Sequence, residues 1–344
     1  MNLKEIFQDA VIKGASDVHI IVGKPPIFRI IGDLKVVKNA PEITSQLAED
    51  LIFALLTAQQ KERLEQEREL DFSEEISDKT RFRINCHYEK NNLGLVARII
   101  PAQIPTPEEL GLPAVVCELT RKNQGLILLT GPTGCGKSTT LAAMINLINQ
   151  ERSATIVTLE DPIEFLFQPT KSIIMQRQLG TDVLSFEQGL KHVVRQDPNV
   201  IMVGEMRDLE TIAATLTLAE TGHLVLATLH TNNASQAVDR IIDVFPPYQQ
   251  DQIRLQLSMV LSAIIAQQLL LKKGGGRMAV REILINNSAV ANLICERKTA
   301  QIKNIIQTSL DEGMISMDQA LQNLVKQDLV SSEVANTYMI DGKI

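Results

Sequence analysis

Eight consecutive residues, Gly131-Pro132-Thr133-Gly134-Cys135-Gly136-Lys137-Ser138, match the phosphate-loop pattern G-x-x-x-x-G-K-[ST] at every required position. Its glycines let backbone N–H groups turn inward around phosphates, and the helix that opens through Thr139 adds a favourable dipole. Lys137 is placed to reach the β- and γ-phosphates of a nucleotide such as ATP, and the Ser138 hydroxyl to ligate Mg²⁺. Cys135 sits among these amides beside Lys137, a setting that could acidify a thiol, although a small residue at a variable loop position explains it more simply.

Three further stretches place chemistry-bearing side chains at strand ends. Thr158-Leu159-Glu160-Asp161-Pro162-Ile163-Glu164 closes an apolar strand in three carboxylates. Acids at the C-terminal edge of a parallel sheet face the ligand crevice, where they can support a metal's water shell or polarise an attacking water. Glu160 and Glu164 fit that work better than Asp161, which precedes Pro162 and serves the turn. Val200-Ile201-Met202-Val203-Gly204-Glu205 is an apolar strand leading to a carboxylate, the layout of a metal-supporting acid, made atypical by Gly204. Residues 222–231 form another strand with a histidine near each end. A lone histidine at a strand end is ordinarily structural. His230, at the C-terminal end where a nucleotide would sit, could equally sense or hydrogen-bond a γ-phosphate, and His223 has less claim to such a role. Arg81 and Arg83 alternate about Phe82, so both guanidinium groups share one strand face, and Arg98 closes the neighbouring strand. Such arginines are ordinarily solvated charges, but a phosphate-loop enzyme often needs one at its transition state.

The elements that must hold these residues can be outlined from the remaining pattern. The chain has 344 residues, 44 % apolar and 22 % charged, enough for roughly two domains with sizeable cores. Its net charge of −7 disfavours a nucleic-acid partner. No apolar run approaches the ~20 residues that cross a bilayer. The best candidate, residues 259–271, is interrupted by Ser262, Gln267 and Gln268 and reads as a buried helix. The N-terminus shows no signal pattern, and Cys86, Cys117, Cys135 and Cys295 form no close pair, so a reduced cytoplasmic protein without zinc knuckle or disulfide framework is expected.

Residues 1–100 read as a small α+β domain. Strand-like runs occupy residues 17–22, 27–31, 81–88 and 93–100, and Thr44 caps an amphipathic helix expected to continue into the charged stretch 61–69. Pro101, Pro105 and Pro107 then mark an interdomain linker over residues 101–113. Residues 114–285 carry apolar strands at 126–130, 154–159, 200–203 and 224–228, alternating with helices at 141–148, 186–195, 209–220 and 234–244. That alternation predicts a parallel sheet covered on both faces. From Pro246-Pro247 the chain turns largely helical, with 249–271 as one helix, the strand 277–284 after a Gly274-Gly275-Gly276 hinge, and a helical C-terminal region over 286–344.

The phosphate loop, residues 158–165, residues 195–208 and residues 221–231 together resemble four ordered boxes of the secretion ATPases: the phosphate loop, an aspartate box, an atypical second Walker motif and a histidine box. Gly14-Ala15-Ser16-Asp17-Val18-His19 and Arg81-Phe82-Arg83-Ile84-Asn85 also match, so the resemblance covers nearly the whole chain. It is strongest to the branch that retracts type IV pili. The resemblance implies an α/β, RecA-like phosphate-loop ATPase core with a parallel-rich sheet, preceded by a small α+β, PAS-like domain and followed by C-terminal helices. It also implies a homohexamer that binds ATP and Mg²⁺ between the two domains of each subunit. The nucleotide would lie on Gly131, Pro132, Thr133, Gly134, Cys135, Gly136, Lys137, Ser138 and Thr139. Ser138, Glu160 and Glu205 would serve the metal, Glu164 would be the general base, His230 would contact the γ-phosphate region, and Arg83 and Arg98 would approach the nucleotide as the small domain closes.

An inner-membrane platform protein, and a paralogous retraction ATPase, would be the partners, reached by peripheral association with the inner face of the cytoplasmic membrane. One departure stands out. Where retraction ATPases of this type carry Ala-Ile-Arg-Asn-Leu-Ile-Arg-Glu, residues 289–296 read Ala-Val-Ala-Asn-Leu-Ile-Cys-Glu, so Ala291 and Cys295 replace both arginines. An accessory retraction paralogue, a pilus-assembly or type II secretion ATPase, and a non-hydrolysing nucleotide-switched scaffold are the alternative readings.

Overall fold

The computed structural model describes residues 2–77, 80–100 and 103–340. Its internal contacts divide the chain into two compact units, Met1–Gln103 with Pro162–Leu166, and Ile104–Asp161 with Phe167–Ile344.

In the first unit, helix α1 (Leu3–Ile12) precedes strands β1 (Asp17–Ile20), β2 (Ile27–Ile30) and β3 (Asp33–Val36). Helices α2 (Ser45–Phe53) and α3 (Ala58–Glu67) follow, and then strands β4 (Glu69–Ser77), β5 (Thr80–Glu89) and β6 (Asn92–Ile100). The six strands form an antiparallel sheet in the order β3-β2-β1-β6-β5-β4. Alternation sorts its two faces. Phe28, Val18, Ala97, Ile84 and Phe72 lie opposite one another in successive strands and are all buried. Against that face pack Phe7 of α1, whose ring stacks on Phe82 with centroids 4.5 Å apart, and Ala48, Leu51 and Ile52 of α2. The adjacent register puts Arg29, Asp17, Arg98, Arg83 and Ser73 in one row across the other face.

Thr44 caps α2 as expected, accepting from the Leu47 N–H at 3.2 Å. The single helix expected to run on to residue 69 is instead two. Thr57 and Gln60 form a reciprocal capping box that starts α3 afresh, and Arg68, in the left-handed conformation, turns the chain into β4. Of the predicted linker, Pro101 and Ala102 lie outside the described residues.

The second unit contains α4 (Ala114–Leu119), β7 (Gly125–Thr130), α5 (Lys137–Glu151), β8 (Thr155–Glu160), β9 (Ile173–Gln178), α6 (Phe186–Val193) and β10 (Val200–Val203). It continues with α7 (Leu209–Glu220), β11 (Leu224–Leu229), α8 (Ala234–Asp243), α9 (Pro247–Val260), β12 (Leu261–Leu271), β13 (Arg277–Ile285) and α10 (Ser288–Cys295). It ends in α11 (Ile302–Thr308), α12 (Met317–Lys326) and α13 (Ser332–Asn336). Its seven-stranded sheet runs β13-β12-β7-β11-β10-β8-β9, parallel throughout except for antiparallel β13. This is the parallel-rich, helix-covered α/β core that the alternation predicts.

One correction concerns residues 249–271. They are not one helix: α9 ends at Val260, and residues 261–271 form β12, parallel to β7. A strand buried on both faces shows no alternation, so its apolar run is indistinguishable by periodicity from a buried helix. The same strand places Gln267 directly opposite Arg281.

Candidate active site

Buried β7 delivers the chain into the phosphate loop. Gly131, Gly134 and Gly136 all have positive φ, at 142°, 80° and 89°. Gly131 has no room for a side chain, because a Cβ there would lie 2.2 Å from the Gln267 carbonyl oxygen of β12. Helix α5 starts at Lys137 with Gly136 as its N-cap, so its unpaired amides open onto the loop. Lys137 is buried and its Nζ donates to the carbonyls of Gly131 at 2.7 Å and Pro132 at 3.1 Å. Ser138 is exposed at the same helix end. Burial pushes the Cys135 thiol up despite the nearby Lys137, so the loop does not acidify it.

Because β7, β8, β10 and β11 are parallel, the loop, Glu160, Glu205 and His230 all emerge at one edge of the sheet. Glu160 is buried, accepting from Thr158 Oγ1 at 2.6 Å and from Gln176 Nε2 at 3.1 Å. Glu205 meets His230 Nε2 at 3.1 Å through one oxygen and Arg207 at 2.8 Å through the other. Partial burial alone would raise the Glu205 pKa. The Arg207 hydrogen bond and the charges of His230 and Arg207 outweigh it and hold the carboxyl below its usual range. Gly204, atypical in the sequence, has a reason: its N–H donates to the Leu159 carbonyl at 2.8 Å, and a Cβ would stand only 3.0 Å from that oxygen. Thr130 Oγ1, bonded to the Thr231 carbonyl at 2.6 Å, ties the root of the phosphate loop to the residue after His230. A cavity of about 530 Å³ is lined by Glu205, Met206, Arg207, Leu229, His230, Thr231 and Arg240. Sequence reasoning missed Arg207 and Arg240, since neither falls at a strand end. His223 is structural, its Nδ1 lying 2.9 Å from the Leu218 carbonyl.

The remaining candidates lie in the first unit, as does Glu164 within Pro162–Leu166. Arg83 Nη1 approaches Glu164 Oε1 at 3.4 Å, while Ser73 Oγ and Arg81 Nε both donate to the Ile163 carbonyl at 3.2 Å. Arg98 faces Arg83 in register and pairs with buried Asp17 at 2.9 Å. The structure thus brings Glu205 to His230 and Arg83 to Glu164, and holds Arg98 through Asp17.

The family model described as "Type II/IV secretion system protein" matches residues 1–336. The chain belongs to this family. Among the relatives of this secretion-system protein is the "Type IV pilus retractation ATPase PilT" of Pseudomonas aeruginosa, 43 % identical over 97 % of either chain. Another, a "Twitching motility protein" of Neisseria gonorrhoeae, is 46 % identical over 90 % of this chain and 83 % of its own. The crystal structure of the pilus retraction motor PilT with bound ADP superposes with a TM-score of 0.93. That match is at 44 % identity, covering 99 % of this chain and 98 % of that one.

Proposed function

We propose that this family member is an ATP-hydrolysing motor that drives type IV pilus retraction and hence twitching motility. The observation that carries the reading is a complete phosphate loop at the head of α5, on the same sheet edge as the Glu205–His230 pair. It occurs in a chain alike from end to end to a retraction motor whose crystal structure holds ADP.

In this reading the loop amides and Lys137 bind the phosphates of ATP, Lys137 exchanging its carbonyl contacts for phosphate oxygens. Ser138 and Glu205 would hold Mg²⁺, with Glu160 behind them. A hydroxyl and carboxylates are hard oxygen donors, and Mg²⁺ needs few from the protein because phosphates and water supply the rest. The ion would neutralise phosphate charge when bound. His230 fixes Glu205 and faces the γ-phosphate, Glu164 orients and deprotonates the attacking water, and Arg83 and Arg98 stabilise the charge that develops. Such subunits act as a homohexamer, in the cytoplasm against the inner face of the membrane, on an inner-membrane platform protein. Among the described residues no helix is long and apolar enough to cross a membrane.

The test is ATP turnover by the purified full chain beside Lys137→Ala and Glu164→Ala. Wild-type turnover should exceed both by about 10²-fold or more. Equal rates would reduce the chain to a nucleotide-switched scaffold. Pilus imaging in a deletion strain separates the biological roles: persistent, non-retracting pili fit retraction, and loss of pili fits assembly.

A second reading has its own observation. Ala291 and exposed Cys295 stand on α10 where the retraction motif has arginines. That favours an accessory retraction ATPase working with a paralogue, for which deletion would weaken retraction under load without abolishing it.

A further inference from the structure

Gln267, which in the sequence only interrupts an apolar run, lies beneath the phosphate loop. It is 1 % exposed, and its Nε2 donates to the Cys135 carbonyl at 2.7 Å. Its Oε1 accepts from Thr140 Oγ1 of α5 at 2.9 Å and from Arg281 Nε of β13 at 2.8 Å. An arginine N–H can only donate, so Arg281 fixes which way the Gln267 amide faces and leaves Nε2 directed at the loop. Arg281 is itself buried, and its Nη1 reaches the carbonyls of Leu110 at 3.2 Å and Gly111 at 3.3 Å. Those two residues follow closely on Ile104, where the chain enters the second unit.

A loop that presents its amides to phosphate must turn its carbonyls elsewhere. Lys137 holds those of Gly131 and Pro132, a contact that phosphate would compete for. Gln267 holds that of Cys135 from within the protein interior. The loop lies close over this support, since a Cβ on Gly131 would stand 2.2 Å from the Gln267 carbonyl oxygen and one on Gly136 3.1 Å from Nε2.

Resting on the ATPase reading above, we propose that Gln267 is a positioning residue for the phosphate loop, oriented by Arg281, and that the pair relays the loop's state to the chain at Leu110–Gly111. Gln267 touches no reacting atom. Its contribution is to hold the Cys135 peptide so that the loop amides are set before nucleotide arrives.

The full chain tests this with ADP as probe, using Gln267→Met, which keeps length and burial but none of the three side-chain hydrogen bonds, and Arg281→Lys, which keeps the charge but not the fork. Wild type should bind ADP. Gln267→Met should bind it about tenfold more weakly and raise KM for ATP more than it lowers kcat. Its thermal stabilisation by ADP should shrink accordingly, beyond any loss of stability without ligand. In wild type, ADP should change hydrogen exchange across residues 104–113, and Arg281→Lys should abolish that response. Wild-type ADP affinity in a Gln267→Met protein that merely melts earlier would reduce Gln267 to packing and overturn the proposal. If Gln267→Met does not fold, Arg281→Lys decides: an unchanged ADP response at 104–113 refutes the relay. A wild type that binds no ADP would instead sink the ATPase reading.

Discussion

The three left-handed glycines of the phosphate loop differ in what surrounds them, and that difference yields a graded prediction. Alanine at Gly134 meets nothing within 4 Å, so Gly134→Ala carries only the strain of a positive φ, about 1 kcal/mol. At Gly136 the added Cβ lies 3.1 Å from a side-chain nitrogen, Gln267 Nε2, which can give by a few tenths of an ångström at the expense of its bond to Cys135. About 2 kcal/mol is expected there. At Gly131 the φ of 142° is essentially closed to L-residues, and the new atom would lie 2.2 Å from a backbone oxygen of β12 and 2.8 Å from Cys135 Sγ. Either the loop or a central strand must move, at about 3 kcal/mol or more. For a unit of this size each kcal/mol shifts Tm by about 2–4 °C. Calorimetry without nucleotide should therefore rank the losses Gly134→Ala, Gly136→Ala, Gly131→Ala, from about 2–4 °C to about 6–12 °C. Gly274→Ala, at an open turn with φ of 83°, is the control and should match Gly134→Ala. A Gly131→Ala protein no less stable than Gly134→Ala would refute the apposition of loop and β12 on which the ranking rests.

Asp17→Ala removes the ion-pair partner that holds Arg98, so under the proposed role of Arg98 it and Arg98→Ala should both lower ATP turnover in a steady-state assay. Burial alone would raise the Asp17 pKa, but the Ser16 hydroxyl and Arg98 outweigh it and the carboxyl titrates low, so its stabilisation is present at neutral pH and lost as pH falls through that lowered value. Melts of wild type and Asp17→Asn should accordingly converge in acid. The depressed Glu205 carboxyl has the same sign: the stability gap between wild type and Glu205→Gln, of order 1 kcal/mol, should close below the ordinary carboxylate range, as pH-dependent denaturation would record. Glu282 is buried and accepts from the N–H groups of Ala234 at 2.9 Å and Met317 at 3.4 Å, the first residues of α8 and α12. Glu282→Ala should destabilise by about 2 kcal/mol in denaturant melts, with Glu282→Gln, which keeps an acceptor, losing less.

What the sequence made legible, and what it did not, follows from the range of the interactions. The phosphate loop and the strands at 126–130, 200–203 and 224–228 could be read because local rules govern them: glycine spacing, an apolar run and a residue type at its end. Strand β4 was hidden because Glu69, Asp71, Glu74 and Glu75 look like the tail of a charged helix, and nothing local announces that their partners are on β5. The break before α3, by contrast, was available in Thr57-x-x-Gln60, a capping signature overridden by the apolar spacing upstream. Strand β12 reads as helix for the opposite reason, since burial on both faces erases the alternation that would identify it. The candidate site divides along the same line. Glu205 and His230 lie at strand ends and are nameable from sequence, but Arg207, which helps depress Glu205, depends on how the chain turns after Gly204. Gln267 lies 132 residues from its partner Cys135, and Arg281 lies 171 from Leu110. Such pairs exist only because β12 runs alongside β7 and β13 alongside β12. A polar residue in an apolar run is therefore best treated as an unpaid hydrogen-bond demand, whose partner the sheet order supplies.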